Sequence, residues 1–115
     1  MGVQLSKDAD ALLCLIYKHY LMRRKDGLSK SDAKSVGGSS NIHETISPKM
    51  SLEDVDETCR ELHRVGLLNC FFADDCVYAS SLNDSAIVYM ENRFSNGLKS
   101  VLDYIDKIKS AIPFL

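Results

Sequence analysis

The stretch from Ser51 to Ser80, SLEDVDETCRELHRVGLLNCFFADDCVYAS, constrains the fold more than any other part of the sequence. Ser51 is a preferred N-cap residue, and Asp54 stands at the third helical position, as in a capping box. Apolar residues follow at intervals of three or four positions, which predicts one buried helical stripe. The predicted stripe consists of Leu52, Val55, Cys59, Leu62 and Val65. The sequence thus predicts an amphipathic helix that begins after Ser51.

A β-hairpin is predicted directly after this helix. Gly66 suits the left-handed position that ends a helix, and Leu67 can then contact Leu62, as in a Schellman motif. The segments Leu68–Ala73 and Cys76–Ser80 alternate in character, as half-buried strands do. We therefore expect a capped helix, a glycine stop and two antiparallel strands.

The pairing of these strands depends on the residues Asp74-Asp75 between them. If the two aspartates form a two-residue loop, Phe72 faces Val77 and Phe71 faces Tyr78. An Asp-Asp pair is less suited than Asn-Gly to the primed turns of such hairpins, which leaves a longer loop as the alternative.

The segment before Ser51 predicts further helices. Ser6 caps a helix over about residues 7–25, followed by a short strand at Leu28 and a second helix over about 30–36. The residues 37–40, Gly-Gly-Ser-Ser, predict a flexible loop, and Asn41–Ser47 a short helical turn.

A long C-terminal helix is predicted over residues 83–112, capped by Asn83. An uninterrupted helix over residues 84–111 would extend about 42 Å, which is more than a small domain covers and favours pairing with a second copy in a homodimer. Asn96-Gly97 leaves open a break into two helices. The predicted dimer interface has apolar residues at heptad-like spacing: Ile87, Met90, Phe94, Leu98, Val101, Ile105 and Ile108.

Length and composition predict one domain over residues 1–115, with residues 7–82 forming the helices and hairpin. No apolar run is long enough to span a bilayer, and a signal peptide is not recognisable. We therefore expect a cytoplasmic protein that does not bind membranes and whose four cysteines are reduced.

The charge is unevenly distributed. Formal net charge is +3 over residues 1–50, −6 over residues 51–84 and +1 over residues 85–115. The acidic middle third contains the predicted capped helix and hairpin. Such a field repels nucleic acid and attracts basic surfaces.

The order of two helices, a capped helix, a hairpin and a long helix resembles the winged-helix superfamily, in particular small bacterial and phage types that pair through terminal helices. The resemblance rests on this order and on Leu62, Gly66, Leu67 and Leu68 before the hairpin. It implies a mainly α fold, with Ser51–Val65 as the recognition helix and the hairpin as the wing.

This resemblance also implies a transcription-regulator-like module that binds double-stranded DNA. The predicted nucleic-acid contacts are Lys30, Lys34, Arg60 and Arg64, with Lys18, Arg23 and Arg24 on the DNA backbone. The predicted recognition helix, however, carries five acidic residues and two arginines, and the wing tip carries two aspartates. The alternative is therefore a protein-interaction winged helix whose acidic surface binds a basic partner without binding DNA.

Catalytic, cofactor and metal sites are not expected. The three histidines lie in separate predicted elements, and the chain lacks phosphate-binding loops and hydrolase motifs. Cys59, His63, Cys70 and Cys76 are ligand types for zinc. Cys59, however, fits the buried stripe, and the predicted register turns Cys70 and Cys76 to opposite faces. We expect a protein that is not an enzyme.

Overall fold

The computed structural model describes residues 4–115, which form six helices and a two-stranded antiparallel sheet. The prediction of a mainly α fold with a small β-hairpin is confirmed. The elements are α1 (Lys7–Lys25), α2 (Lys30–Lys34), α3 (Ser39–Thr45), α4 (Leu52–Arg64), β1 (Leu68–Ala73), β2 (Cys76–Leu82), α5 (Asp84–Arg93) and α6 (Leu98–Ile108).

Helix α1 is the centre of the core. It begins where predicted, because the Ser6 hydroxyl accepts a hydrogen bond of 3.2 Å from the Ala9 amide. Its buried side chains lie on several sides of the helix, so α1 is surrounded by other elements rather than packed on one face. These side chains are Ala9, Ala11, Leu12, Leu13, Cys14, Ile16, Tyr17 and Tyr20.

Helix α4 has the predicted start and end. The Ser51 hydroxyl accepts from the Asp54 amide at 3.1 Å. Gly66 has a φ of 80°, and the Leu67 amide donates to the Leu62 carbonyl at 3.0 Å, which confirms the Schellman motif. The buried stripe is shorter than predicted: Leu52 and Val65, one at each end, are exposed.

The hairpin has the two-residue loop, so the longer-loop alternative is wrong. Asp74 and Asp75 have φ values of 53° and 60°, as a type I′ turn requires at both central positions. The predicted pairing of Phe72 with Val77 is confirmed. The predicted pairing of Phe71 with Tyr78 is wrong, because a β-bulge at residue 78 places Phe71 opposite residue 79 instead.

The residues before α3 pack closely on the hairpin. The predicted flexible loop over residues 37–40 is wrong, because Gly38 is the N-cap residue of α3 and the next residue, Ser39, is a buried helical residue. A Cβ atom on Gly38 would lie 2.6 Å from the Tyr78 carbonyl oxygen. Only glycine fits there without displacing a strand.

A third extended segment joins the sheet beside β2. Ser35 forms an isolated antiparallel bridge with Ser81, and the Val36 amide donates to the Ser80 carbonyl at 3.0 Å. The short strand predicted at Leu28 is wrong in position: extended pairing occurs at Ser35, after α2.

The C-terminal segment is two helices, so the prediction of one long helix is wrong and the break at Asn96-Gly97 is confirmed. Helix α5 ends before Phe94, and α6 begins after Gly97, which has a φ of 60°. The break turns α6 back onto α1, so that the apolar residues of both helices reach one core.

The two ends of the hairpin lie next to each other on the helical core. The Gly66 carbonyl, at the end of α4, accepts from Asn83 Nδ2 at 2.9 Å and from the Ser85 hydroxyl at 2.8 Å. The Asn83 amide donates to the Leu67 carbonyl at 3.0 Å. Asn83 thus occupies the predicted N-cap position of α5, but its side chain bonds to the end of α4.

Within residues 4–115, none of the helices has the length and apolar character that crossing a membrane requires.

Candidate functional site

The acidic helix α4 and the hairpin form one surface, held together by the Arg60 side chain. Arg60 Nε donates to Asp56 Oδ2 at 2.8 Å, and Arg60 Nη2 donates to the Asp75 carbonyl in the hairpin turn at 2.7 Å. The guanidinium carbon lies 5.0 Å from the centre of the Phe72 ring. Arg60 is therefore bound to the hairpin by a carbonyl and an aromatic ring, and to its own helix by the Asp56 carboxylate.

Asp56 joins three elements. Its Oδ1 atom accepts from the Val77 amide at 2.7 Å and from the Ser39 hydroxyl at 2.9 Å. Burial raises the pKa of this carboxyl, but the hydrogen bonds from Val77, Arg60 and Ser39 outweigh that effect and hold the pKa below its ordinary value. Asp56 consequently fixes the hairpin relative to α3 and α4, and it is not an open charge on the helix surface.

His63 covers the outer edge of β1. Its Nδ1 atom lies 3.2 Å from the Leu68 carbonyl oxygen and accepts from the Cys70 amide at 3.2 Å. The Phe72 ring packs edge-on against the imidazole at 5.3 Å between centroids. Part of the backbone edge that a further strand would need is therefore already bonded to a side chain.

The outer face of the hairpin, defined by Phe71 and Tyr78, is apolar and open. The two rings are 64% and 69% exposed. Because Phe71 pairs with Ala79, the residue after Tyr78, both rings lie on the same part of the sheet. In a hairpin without a bulge, Phe71 would pair with Tyr78. The bulge at Tyr78, next to the two-residue turn of Asp74 and Asp75, changes this pairing.

Two of the five acidic residues of α4 have structural partners. Asp56 binds the hairpin, as described, and Glu61 accepts from the Ser6 amide at 3.0 Å and the Ser6 hydroxyl at 2.8 Å, which ties α4 to the start of α1. The remaining three, Glu53, Asp54 and Glu57, are exposed. The outward side of α4 is thus acidic even after the structural carboxylates are set aside.

The four predicted nucleic-acid contacts lie in two different places. Lys30 and Lys34, on α2, lie 3.9 Å and 3.0 Å from Asp84, and these lysines lower the pKa of that carboxyl. Arg60 is bound to the hairpin. Arg64 has a 61% exposed side chain with only a long contact of 3.9 Å to Glu57. Of the four, Lys30 and Arg64 are the most exposed and have the longest contacts, each 3.9 Å from a carboxylate.

The predicted dimer interface is largely used inside the subunit. Its seven-residue spacing reflects packing of α5 and α6 onto the core of one chain, which buries Ile87, Met90, Phe94 and Val101. The other three predicted residues, Leu98, Ile105 and Ile108, are half-buried. Leu102, which was not predicted, is the exposed apolar residue of α6.

A second polar cluster joins α1, α5 and α6. Both carboxylate oxygens of Asp10 accept from Arg93, and Oδ2 also accepts from the Tyr104 hydroxyl at 3.0 Å. Arg93 stacks on Phe94 and Tyr104, with 4.9 Å and 4.6 Å from the guanidinium carbon to the ring centres. Both carboxylate oxygens, both terminal guanidinium nitrogens and the Tyr104 hydroxyl have partners, which is typical of a brace between helices.

The cysteines do not assemble a metal site in the described part of the chain, where no group of three or more ligand residues converges. All four are free thiols. Burial raises the pKa values of Cys14 and Cys59 to about 12 and that of Cys70 to about 11, so these thiols are unreactive at neutral pH.

Sequence reasoning missed the outer face of the hairpin. Phe71 and Tyr78 were identified as strand residues, but their exposure depends on the bulge and on the docking of Phe72 against α4. The available signal was the aromatic content of the two strands: a hairpin that covers a core with one face has no need of three large rings, Phe71, Phe72 and Tyr78.

The chain was also compared with protein-family models, curated proteins and solved structures, and none of the three comparisons gives a significant match.

Proposed function

We propose that this chain is a winged-helix protein that binds another protein through its hairpin and helix α4, and that it does not act through DNA. Support for the winged-helix assignment comes from the order of α3, α4 and hairpin, together with the extended segment at Ser35 that pairs beside β2. In this assignment α4 is the recognition helix and the hairpin is the wing.

The observation that carries the proposed function is the exposure of Phe71 and Tyr78 on the outer face of the hairpin. Two large rings in water at adjacent positions of a strand pair are unfavourable for an isolated domain, because each ring loses its burial energy. Exposed aromatic residues are enriched in protein interfaces, where they contribute much of the binding energy. The outer face of the hairpin is therefore the proposed docking surface.

Charges around this surface favour a protein partner over a nucleic acid. The turn presents Asp74 and Asp75, and α4 presents Glu53, Asp54 and Glu57. Affinity for DNA depends on neutralising phosphates with lysine and arginine, and all four predicted contacts lie 3.9 Å or less from a carboxylate of the chain itself. The DNA-binding alternative depends on Lys30 and Arg64, whose contacts are the longest, and on the basic residues of α1.

A salt titration tests the choice between these functions. Random duplex DNA is titrated with the full chain at 50 and 200 mM salt. We expect no binding at either concentration. Binding at 50 mM that weakens steeply at 200 mM, and that Arg64→Ala reduces, would overturn the proposal in favour of DNA binding.

The docking surface itself is tested with matched baits. The wild-type chain, the double variant Phe71→Ser/Tyr78→Ser and the control Val88→Ser are immobilised, and the bound proteins are quantified. Val88 is an exposed apolar residue of α5 and therefore controls for general hydrophobic capture. We expect a set of proteins bound by the wild type and the control but lost from the double variant. If binding is the same for all three, the hairpin is not the docking surface.

We also propose that the chain forms a homodimer, through an interface smaller than the one predicted from the sequence. We propose that a second copy packs on the stripe of α6 formed by Leu98, Leu102 and Ile105, which follow one another at helical spacing and are exposed or half-buried. A groove that includes Leu102 and Ile105 of this stripe is also lined by Leu115 and by the charged residues Asp103, Asp106 and Lys109.

A further inference from the structure

We infer that the outer face of the hairpin recognises an arginine-containing basic segment of its partner. This inference rests on the proposed function and specifies the chemistry of the partner. The face offers two exposed rings, Phe71 and Tyr78, and the strands that carry them meet at the turn aspartates Asp74 and Asp75. A guanidinium group can stack on such rings while it pairs with a carboxylate.

The chain already binds guanidinium groups in this way at two internal places. Arg60 combines the Phe72 ring at 5.0 Å with the Asp56 carboxylate at 2.8 Å. Arg93 combines the Tyr104 ring at 4.6 Å with the Asp10 carboxylate. The outer face of the hairpin presents the same two kinds of group with no arginine bound among residues 4–115.

Charge complementarity selects a basic partner. Asp74 and Asp75 form no ion pair within the part of the chain that the structure describes, and the neighbouring acids of α4 have the same sign. Arg60 bonds to Asp56 and to the Asp75 carbonyl, and it also attracts the Asp75 carboxylate without forming an ion pair with it, which contributes to the raised pKa of Arg60. An acidic or phosphate-bearing partner would be repelled from this face.

The backbone geometry disfavours the other common way in which a hairpin binds a peptide, the addition of a strand. His63 Nδ1 accepts from the Cys70 amide at the outer edge of β1, and the segment at Ser35 pairs on the other side, beside β2. With both edges partly covered, recognition depends on side chains of the hairpin face. Side-chain recognition by rings and carboxylates favours arginine over lysine, because the guanidinium is planar and weakly hydrated.

The test uses two defined probes, a capped peptide of four Arg-Ser repeats and its Lys-Ser counterpart. Each is titrated into the ¹⁵N-labelled full chain at 50 mM salt, and amide shift changes are followed by NMR. We expect both peptides to shift the amides of Phe71, Tyr78 and Ala79. If one guanidinium group stacks on one ring of the hairpin face, the arginine peptide should bind about two- to fivefold more tightly than the lysine peptide.

Three variants separate the contributions. Phe71→Leu/Tyr78→Leu keeps the face apolar but removes the rings, and should bring the ratio of the two affinities close to one. Asp74→Asn/Asp75→Asn should weaken both peptides by a similar factor, since asparagine tolerates the left-handed turn positions. The control Val88→Ser should bind like the wild type.

Shifts confined to regions away from the hairpin, or equal affinity of the wild type for both peptides, would refute the arginine preference. That result is distinguishable from failure of the proposed function. If proteins captured by the wild-type bait still depend on Phe71 and Tyr78, the docking surface stands and only the partner chemistry is wrong. If capture does not depend on these rings, the proposed function fails as well.

Discussion

Arg93 and Asp10 form a two-point ion pair that joins helix α5 to helix α1, with Arg93 Nη2 3.0 Å from Asp10 Oδ2. The Tyr104 hydroxyl adds a third contact from α6. One carboxylate of α1 thus holds the two C-terminal helices, which are distant from α1 in sequence. The hydrogen bonds to Asp10 raise the pKa of the Arg93 guanidinium above its ordinary value.

Arg93→Met should destabilise the fold, because it leaves the half-buried Asp10 carboxylate without its main donor. We expect the free energy of unfolding, measured by urea denaturation, to fall by about 1–3 kcal/mol. Lys99→Ala is the control: it removes an ion pair to Asp103 whose side chains are largely exposed, and should change stability by less than about 0.5 kcal/mol. Equal effects would show that the brace contributes no more than a surface pair.

Asp56→Asn should destabilise the protein in a pH-dependent manner. The folded-state pKa of Asp56 lies below its ordinary value of 3.8, so its stabilisation is present above about pH 4 and is lost as pH falls through the folded pKa. We expect a difference in unfolding free energy of about 1–3 kcal/mol at pH 7. Urea titrations at pH 3 should give a smaller difference in unfolding free energy than those at pH 7. A difference that is the same at both pH values would show that the effect does not depend on the charge of Asp56.

Gly38→Ala should disturb the contact between α3 and the hairpin. The added Cβ would lie 2.6 Å from the Tyr78 carbonyl oxygen and 2.8 Å from that of Val77, so backbone must move. We expect a loss of about 1–3 kcal/mol, with NMR shift changes at Val77 and Tyr78. Gly27→Ala, where a Cβ meets nothing within 4 Å, should leave the hairpin shifts unchanged despite its backbone strain. Similar hairpin shifts in both variants would contradict the steric explanation.

Leu102→Asp should dissociate the proposed homodimer without unfolding the subunit, because Leu102 is 43% exposed. Sedimentation velocity should give a dimer for the wild type and a monomer for this variant, at equal thermal stability. Val101→Asp is unsuitable for this purpose: Val101 is fully buried, so a charge there should unfold the chain itself. A wild-type chain that sediments as a monomer would refute the proposed homodimer.

Thiol labelling should separate Cys76 from the other three cysteines. Cys14, Cys59 and Cys70 are buried, whereas Cys76 is half-buried near the hairpin turn. With a chromogenic disulfide reagent at pH 7.5, we expect one thiol to react in the folded protein and four after denaturation. Cys76→Ser should abolish the fast reaction; a remaining fast thiol would mean that the core opens near another cysteine.

Features set by neighbouring residues were predictable from the sequence. Ser6 and Ser51 cap helices, and Gly66 ends one, because each acts on backbone groups within three or four positions. The bounds of α1 and the mainly α fold with a hairpin followed from such signals.

Features set by distant contacts were not predictable. Gly38 has the sequence context of a loop, and its role depends on a strand forty positions later. The bulge at Tyr78 and the exposure of Phe71 depend on how the hairpin docks against α4. The heptad-like spacing from Ile87 onward could not show whether a second copy or the same chain buries those residues.

The closed junction at Gly66, Leu67 and Asn83 fixes where the chain leaves and re-enters the helical core. The strands beyond this junction are held separately, because Arg60 binds the Asp75 carbonyl and Asp56 binds the Val77 amide. Insertions near the turn would break these contacts, whereas exchange of the exposed side chains Phe71 and Tyr78 would not. The surface proposed to bind the partner can therefore change its specificity by substitution while the length of the hairpin stays the same.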